Sequence, residues 1–264
     1  MKKILCLILA LIMVIACFAG CQNNTATQKD SEYVKAKGTL IVGITEFAPM
    51  DYKDESGNWI GFDADMATAF AKELGVEVKF VLIDWNSKTM ELDGKNIDVV
   101  WNGMTLTDAV KKAMETSNPY CNNQQVVVLK KDVAENYQTV ESLKGLEFAV
   151  EEGSAGAEQV ALLKDVTYIE VLDQATALAE VLAGTSNAAV IDSLMASAML
   201  GEGTGFEDLT FTVGLNDEEY GVGFRKGSDL AEKLNDFFKK SYENGTMLAT
   251  AEKYGIAHTI IPQE

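Results

Sequence analysis

Two short segments of the chain carry residue types that could bind a charged small molecule. The loop Gly153-Ser154-Ala155-Gly156 precedes a predicted helix, whose free N–H groups favour an anion, and Ser154 adds a hydroxyl. Asp192 ends the apolar run at 188–191, where a carboxylate can accept a charge-assisted hydrogen bond from an ammonium group. Ser154 and Asp192 could instead cap the helices that follow them, so the residues alone leave ligand binding and capping open.

Residues that could catalyse a reaction are scarce. The sequence contains 1 histidine, His258, near the C-terminal end, and we predict that it lies on the surface, far from the segments above. Cys121 has no histidine within reach in the predicted topology, so a nucleophile–base pair is not expected. A phosphate-binding loop of the nucleotide type does not occur, and the 4 cysteines lack the paired spacing of a zinc site. We therefore predict that the protein is not an enzyme and needs neither a metal nor a cofactor.

The candidate residues follow predicted strands and helices that alternate along the chain. Segment 38–44 predicts a strand, 63–74 an amphipathic helix that ends at Gly75, and 76–83 a second strand. Strand, helix and strand in this order form a βαβ unit, which indicates a parallel sheet. Further along, Thr107 is positioned to cap another helix.

The same alternation begins again at Tyr137 and builds a second unit. Its elements are a strand at 146–150, a helix to about 163, a strand at 167–171, a helix at 174–183 and a strand at 188–191. The candidate crossovers between the two units are 125–129 and 220–224. Two C-terminal helices, at about 228–243 and 246–254, are predicted to return to the first unit. We therefore predict an α/β fold of two lobes, each a mainly parallel sheet with flanking helices, joined by two crossovers.

Residues 1–20 have the pattern of an export signal. Met1-Lys2-Lys3 is followed by an apolar run at 4–18 that is too short to cross a membrane as a helix. Two small residues then precede Cys21, which is similar to the lipobox of bacterial lipoproteins. This indicates a signal peptide and a lipid anchor on Cys21; a buried N-terminal helix, or an ordinary signal peptide with an incidental cysteine, are the alternatives. The polar chain that follows predicts a flexible tether at 21–35.

Composition and charge restrict the partners of the mature chain. Loss of two lysines with the signal changes the formal charge from −18 to −20, and so acidic a surface repels nucleic acid phosphates. We therefore predict no nucleic-acid partner. Two cysteines leave with the signal and Cys21 is acylated, so Cys121 has no partner for an intramolecular disulfide. A hydrophobic fraction of 47% suffices for the core of one large or two small domains.

A set of short motifs follows a fixed order along the chain. They are Val42-Gly43, Phe47-Ala48-Pro49-Met50, Gly57, Gly61-Phe62-Asp63, Asp84-Trp85, Trp101-Asn102-Gly103-Met104-Thr105-Leu106-Thr107, Asn118-Pro119-Tyr120, Gly153-Ser154, Asp192 and Tyr220-Gly221-Val222. Over about residues 36–257, their order and spacing resemble the polar amino-acid-binding proteins of ABC importers, bacterial solute-binding protein family 3. The resemblance implies a ligand cleft between two lobes that closes on hinges at about 124–126 and 219–221. The implied lobes are 36–124 plus 221–264, and 125–220.

The resemblance also implies which residues contact the ligand. Phe47 and Trp85 occupy the positions of two aromatic walls, since a flat ring contacts an aliphatic stem or a cation at little entropic cost. Either ring could instead belong to the core. Thr105 fits a hydroxyl that holds the ligand, and Asp192 fits the partner of its ammonium. The full implied set is Glu46, Phe47, Trp85, Asn102, Gly103 and Thr105 in the first lobe, and Gly153, Ser154, Ala155 and Asp192 in the second.

One position departs from the family pattern. Family members usually carry an arginine three residues after the second threonine of the Thr-x-Thr motif, where it clamps the ligand carboxylate, whereas Val110 stands here. Valine supplies no donor, and Lys111 points about 100° away around the helix, so we predict a solvated Lys111. Either backbone N–H groups alone hold the carboxylate, or the ligand is an amino-acid derivative, a small peptide or an amine.

The resemblance implies an extracytoplasmic lipoprotein that binds an amino acid or a derivative and delivers it to the permease subunits of an ABC importer. We predict a monomer on the outer face of the cell membrane, held there by the lipid on Cys21. Two alternatives stay open. One is a sensory or orphan surface receptor of the same fold, and the other is a dehydratase-like enzyme on this fold.

Overall fold

Short apolar runs separated by glycine and polar turns produce the first lobe. The computed structural model describes residues 29–264. In chain order, the first lobe contains helix α1 (Asp30–Lys37), strands β1 (Thr39–Ile44), β2 (Tyr52–Lys53) and β3 (Trp59–Ile60), helix α2 (Phe62–Leu74), strand β4 (Glu77–Leu82), helix α3 (Lys88–Asp93), strand β5 (Val99–Thr105), helix α4 (Asp108–Ala113) and strands β6 (Glu115–Thr116) and β7 (Cys121–Asn123).

The second lobe lies between two crossings of the chain. It contains strands β8 (Gln125–Lys130) and β9 (Glu147–Glu151), helix α5 (Ala155–Ala161), strand β10 (Thr167–Val171), helix α6 (Gln174–Ala183), strand β11 (Ala188–Asp192), helix α7 (Ser193–Met199) and strand β12 (Leu209–Gly214). The chain then returns to the first lobe through strand β13 (Glu218–Phe224) and helices α8 (Leu230–Glu243) and α9 (Thr246–Lys253).

Each lobe is built on one mixed sheet. The strand order is β4-β1-β5-β13-β6 in the first lobe, where β7 also pairs with β13, and β10-β9-β11-β8-β12 in the second. The βαβ strands β4, β1 and β5 run parallel, as do β10, β9 and β11. The crossover strands β13 and β8 run antiparallel to their neighbours. The predicted two-lobe α/β fold is confirmed, although only part of each sheet is parallel.

The carboxyl ends of the parallel strands lead into the cleft between the lobes. The residues that follow or end β1, β5, β9 and β11 there are Thr45, Thr105, Gly153 and Asp192. Strand ends of this kind are where α/β folds place their ligands, because the chain leaves the sheet and exposes polar groups. Strands β5 and β11 are buried along almost their whole length, so the groups at their ends are held rigidly.

The C-terminal helices complete the core of the first lobe. Phe237 and Phe238 of α8 belong to the same buried cluster as Phe70 of α2 and Trp101 of β5. The ring centroids of Phe70 and Phe237 lie 5.5 Å apart, and those of Trp101 and Phe238 lie 5.6 Å apart. The predicted return of these helices to the first lobe is therefore confirmed.

Two predicted helix caps are present. Gly75 has a φ of 77°, and its N–H donates to the carbonyls of Ala71 and Lys72 at the end of α2. Thr107 accepts a hydrogen bond from the N–H of Val110 on its Oγ1 at 3.3 Å, which caps α4. Local sequence signals thus set where these helices begin and end.

The structure corrects the predicted tether. Flexible chain was expected to residue 35, but α1 begins at Asp30. Ser31 donates from its N–H and its Oγ to the Asp229 carboxylate, at 2.9 and 2.5 Å, and Val34 is fully buried. These contacts make residues 30–35 part of the first lobe, and a polar local sequence gives no sign of a partner 198 residues away.

The predicted signal peptide at 1–20, the lipid-anchored Cys21 and the first part of the tether lie outside the described residues. Within residues 29–264, none of the helices combines the length and the apolar character needed to span a bilayer.

The second crossover lies earlier than predicted. Strand β12 ends at Gly214 and β13 begins at Glu218, so the connection is formed by 215–217. The predicted hinge at 219–221 lies within β13, which pairs with β5 and β7 of the first lobe. The second lobe therefore ends at about 217 rather than 220. The boundary was predicted too late because the polar start of β13 does not resemble a buried strand.

Candidate functional site

A cavity of about 210 Å³ lies between the two lobes. Every residue of the predicted ligand set except Glu46 lines it. The residues around it are Thr45, Phe47, Trp85, Lys88, Thr89, Asn102, Gly103, Met104, Thr105, Thr107, Ala109, Val110, Ala113, Glu151, Gly153, Ser154, Ala155, Glu158, Gln174 and Asp192.

Glu46 lies outside the cavity. Its side chain is 62% exposed, and a carboxylate oxygen lies 3.5 Å from the Nζ of Lys53. The adjacent Phe47 is 2% exposed and points inward, where it makes an edge contact with Tyr220. Neighbouring side chains in extended backbone point to opposite sides, so Glu46 and Phe47 do not share one surface.

Asn102 positions the loops of the first lobe. Its Oδ1 accepts hydrogen bonds from the N–H and the Oγ1 of Thr45, at 2.8 and 2.6 Å, and its Nδ2 donates to Asp51 Oδ2 at 2.8 Å. Burial, followed by repulsion from Asp63, holds the pKa of Asp51 well above its usual value. The amide of Asn102 is thus occupied by the protein itself and joins the ends of β1 and β5.

Gly103 lets the backbone approach an aromatic wall. It has a φ of 55°, and a Cβ at this position would lie 2.5 Å from Cε1 of Phe47. Its N–H donates to the buried carboxylate of Asp63 at 2.7 Å, and the Tyr120 hydroxyl donates to the same carboxylate at 2.8 Å. Burial raises the pKa of Asp63 to about 7, against the effect of these hydrogen bonds. The sequence motif contained Asp63, but its anchoring of Gly103 was not predicted.

The loop of the second lobe combines helix capping with donors that stay available. Ser154 caps α5, since its Oγ accepts a hydrogen bond from the N–H of Ala157 at 3.1 Å. The hydroxyl hydrogen of Ser154 is still able to donate. Gly153, with a φ of 70°, and Ala155 complete this side of the cavity.

Asp192 lies at the centre of a buried hydrogen-bond network rather than capping α7. Its Oδ1 accepts from Asn123 Nδ2 at 2.6 Å, Gln125 Nε2 at 3.0 Å and the Tyr220 hydroxyl at 2.6 Å. Its Oδ2 accepts from Gln174 Nε2, and no side-chain capping bond to α7 is formed. A carboxylate oxygen has two lone pairs, so Oδ2 can accept one more donor from the cavity.

Glu218 is a second buried carboxyl next to Asp192, and no sequence signal distinguishes it from the other acidic residues of the turn 217–219. The amides of Asn123 and Gln125 donate to Glu218 Oε1, at 2.7 and 2.8 Å, as well as to Asp192. Burial, followed by repulsion from Glu218, raises the pKa of Asp192 to about 8. These two carboxyls meet where the chain crosses between the lobes.

Thr105 faces the same pair. Its hydroxyl donates to Glu218 Oε1 at 3.0 Å, which leaves its oxygen lone pairs to accept a hydrogen bond. In this arrangement Thr105 suits an ammonium better than a carboxylate.

The cavity wall between the lobes carries further charged groups that the sequence did not single out. Burial, followed by repulsion from Asp192, raises the pKa of Glu151 to about 8. The Nζ of Lys88 donates to the carbonyls of Trp85 at 3.1 Å and Gly153 at 2.9 Å, and lies 4.7 Å from the centre of the Trp85 ring. Among the residues that line the cavity, Lys88 is the one cation, against three carboxyl side chains.

Val110 also lines the cavity, with an exposure of 9%. The position at which the family usually carries an arginine is therefore part of the cavity wall and apolar. An anionic group of a ligand must find its donors elsewhere.

The residues considered for catalysis lie outside the cavity lining. Cys121 is buried, with its Sγ 3.1 Å from Thr259 Oγ1, and burial raises the pKa of its thiol to about 12. His258 is exposed near the C-terminal end. Within 29–264, no group of three or more histidine, cysteine, aspartate or glutamate side chains is arranged to hold a metal ion.

Comparison with known proteins points to amino-acid-binding proteins. Residues 40–257 match the family of bacterial extracellular solute-binding proteins, family 3. The L-cystine-binding protein TcyJ of Escherichia coli (strain K12) is 30% identical over 249 residues, with 92% of each chain covered.

Solved structures give the same result. A variant of ArgBP from T. maritima has a TM-score of 0.80 and 33% identity, and the match covers 86% of this chain and 99% of that one. An arginine-bound form of ArgBP matches as well, with a TM-score of 0.73 and 32% identity over 81% of this chain and 99% of that one. The ancestral amino acid-binding protein AncCDT-1, a precursor of cyclohexadienyl dehydratase, has a TM-score of 0.78 and 31% identity over 85% of this chain and 98% of that one.

Proposed function

Because the chain belongs to the bacterial extracellular solute-binding proteins of family 3, we propose that it captures an amino acid or a closely related solute for an ABC importer. One observation carries the proposal: the cavity takes its walls from both lobes and contains a buried carboxylate, Asp192, with acceptor capacity left. Such a cavity suits a small ligand with an ammonium group.

The cavity suggests a role for each wall. Asp192 binds the ammonium of the ligand, with the Thr105 oxygen as a second acceptor. Phe47 and Trp85 contact the apolar part of the ligand from two sides. The Ser154 hydroxyl and nearby backbone N–H groups donate to an anionic group. Relatives bind L-cystine and arginine, and both of these ligands have an ammonium, an apolar part and an anionic group.

Contacts between the lobes support a cleft that closes over the ligand. Asn86 of the first lobe donates to Glu152 Oε1 of the second at 2.7 Å. At the crossovers, the N–H of Gln125 donates to Asn216 Oδ1 at 2.8 Å, and Gln124 Nε2 donates to Asp217 Oδ1 at 2.7 Å. We infer that a ligand with contacts in both lobes stabilises this closed arrangement over an open one.

Gly153→Ala is expected to weaken ligand binding by about 5- to 150-fold, since a new Cβ would raise the free energy of the closed arrangement by about 1–3 kcal/mol. That Cβ would lie 2.8 Å from Asn86 Oδ1 and 3.0 Å from Asn86 Cα, across the cleft. The measurement is calorimetric titration with L-arginine and L-cystine, together with small-angle scattering with and without ligand. Wild type should become more compact on binding, and the variant should need more ligand to do so.

Gly145→Ala is the matched control for this prediction. Gly145 lies in the same lobe with a φ of 82°, but a Cβ there would have no neighbour within 4 Å. Both variants place an alanine at a positive φ, and only Gly153→Ala places an atom against Asn86. Equal affinities for the two variants, or unchanged dimensions of saturated wild type, would count against closure.

We propose that the protein is a monomeric lipoprotein on the outer face of the cell membrane, with the chain cleaved before Cys21. The pattern of residues 1–21 supports this, and a receptor that is tethered stays near its permease. Metabolic labelling with a fatty acid should mark wild type and not Cys21→Ala. Equal labelling of both, or none of wild type, would contradict the anchor.

Binding without catalysis is the function that the site supports best. A thiol with a pKa of about 12 is not a nucleophile near neutral pH, and Cys121 does not line the cavity. The buried carboxyls are occupied by amide and hydroxyl donors from the protein. This favours a role in holding a cation over one in proton transfer.

A further inference from the structure

We propose that Lys88 is the residue that recognises a carboxylate on the ligand, in place of a guanidinium at position 110. This inference rests on the proposed function, because it concerns the same cavity. It assigns the ligand to the class of amino acids with a free carboxylate and disfavours simple amines.

Lys88 is a buried cation without a carboxylate partner. Its exposure is 9%, and lysine is rarely buried unless it is paired with an opposite charge. Within 29–264, the ion pairs do not include Lys88. Its two partners are neutral backbone carbonyls, at Trp85 and Gly153. An ammonium has three N–H donors, so one stays available in a cavity that Lys88 lines.

The position of Lys88 brings it to the other donors of the cavity. Its Nζ lies 2.9 Å from the carbonyl oxygen of Gly153, and Ser154 and Ala155 follow directly along the chain. The Ser154 hydroxyl lines the same cavity as the ammonium. The Lys88 ammonium and the Ser154 hydroxyl can each donate one hydrogen bond to a carboxylate in the cavity.

The cavity wall contains ionisable groups of both signs, which suits a zwitterion. Lys88, Glu151 and Asp192 line the same cavity, where repulsion from Asp192 and attraction to Lys88 both act on Glu151. Asp192 can accept a hydrogen bond from an ammonium, and Lys88 can donate one to a carboxylate. An α-amino acid carries both of these groups.

Carboxyl groups near Lys88 oppose the effect of burial on its pKa. Burial lowers the pKa of Lys88, while Glu151, Glu158 and Asp84 act in the opposite direction. None of these carboxylates forms an ion pair with it among the described residues. A ligand carboxylate would supply the direct partner that the buried ammonium lacks.

The test compares amino acids with the amines that lack only their carboxylate. The probes are the pairs L-arginine and agmatine, L-cystine and cystamine, and L-histidine and histamine, titrated into wild type, Lys88→Met and Lys88→Arg. Methionine keeps an unbranched chain of similar length without charge, and arginine keeps the charge. We expect Lys88→Met to lower affinity for the bound amino acid by about 10- to 100-fold and to change affinity for its amine less than about threefold. Lys88→Arg should retain most of the preference for the amino acid.

The outcomes separate this inference from the proposed function. Equal weakening of both members of a pair by Lys88→Met would show that Lys88 only ties the lobes together through Gly153, and would overturn the inference alone. An unchanged preference for the amino acid would overturn it as well. Silence of folded wild type toward every probe would overturn the proposed function and the inference with it. The thermal unfolding midpoint of each variant establishes that it is folded.

Discussion

Asp192→Asn is expected to weaken the binding of an amino acid by about 10- to 150-fold, because it removes a charge-assisted hydrogen bond worth about 1.5–3 kcal/mol. The titration is best made at pH 8.5, above the pKa of about 8 to which burial and Glu218 raise this carboxyl. At that pH, the larger part of Asp192 is ionised before the ligand arrives. The loss should fall on amino acids and on their decarboxylated amines alike, since both carry the ammonium.

The same substitution is expected to change the free energy of unfolding by only about 1 kcal/mol or less. Asparagine relieves the repulsion between Asp192 and Glu218, which favours the folded state. Asparagine also replaces one acceptor oxygen by a donor that faces Gln174 Nε2, which disfavours the folded state. The two effects oppose each other, so a drop in affinity would report on the ligand contact and not on unfolding.

Glu46→Gln is the control for Asp192→Asn. It makes the same loss of charge one residue from the Phe47 wall, on a side chain that is 62% exposed and outside the cavity. Its affinity should stay within about twofold of wild type, since an exposed ion pair contributes little. If Glu46→Gln weakened binding as much as Asp192→Asn, the assignment of the ammonium site to Asp192 would be wrong.

The free energy of unfolding is expected to rise as the pH falls from 8 to about 5. Burial raises the pKa of Asp63 to about 7 and those of Glu151 and Asp192 to about 8. In the unfolded chain these carboxyls bind protons only near pH 4. Between these limits the folded state binds more protons than the unfolded state. Each carboxyl therefore adds about 1.4 kcal/mol to the free energy of unfolding for every pH unit by which the pH decreases.

The direction reverses at lower pH. Hydrogen bonds from Ser31 hold the pKa of Asp229 below its usual value in spite of its partial burial, so its contribution is lost as the pH falls through that lowered value. Maximal stability is therefore expected on the acidic side of neutrality. Urea unfolding at pH 5.5, 6.5, 7.5 and 8.5 measures this pH dependence of the free energy of unfolding. Asp192→Asn should make the dependence shallower by the contribution of about one proton. A free energy of unfolding that is flat or rises with pH in this range would contradict the burial of these carboxyls.

Affinity for an ammonium should follow the opposite trend. Asp192 must be ionised to accept the charge-assisted bond, so binding is expected to tighten as the pH rises toward 8. The conditions under which the protein is most stable are thus not those under which it binds best. Functional sites often carry such a conflict, since a buried charge is a cost to the fold.

The sequence predicted those features that depend on local chemistry. Gly75 and Thr107 set helix ends through contacts within one or two turns, and both caps are present. The predicted positions of the strand ends identified Phe47, Asn102 and Asp192, which all line one cavity in the structure. Alternating strands and helices leave few topologies, which is why the two-lobe fold could be predicted.

The features that were missed depend on partners that are distant in sequence. Ser31 is anchored by Asp229, and the polar segment around it looked like a tether. Glu218 lies in an acidic turn typical of a solvated surface, and only the crossing of the chain brings it to Asp192. Lys88 follows Trp85 at the start of a helix, and its burial results from the approach of Gly153 in the other lobe.

The central claim is that the cavity binds an amino acid through Asp192. Calorimetric titration of wild type and Asp192→Asn with a panel of the L-amino acids, including L-arginine and L-cystine, at pH 8.5 tests it most directly. We expect at least one member of the panel to bind wild type with a 1:1 stoichiometry and to bind Asp192→Asn at least about tenfold more weakly. Silence of folded wild type across the whole panel, or equal affinity of the two proteins for the amino acid that binds, would contradict the claim.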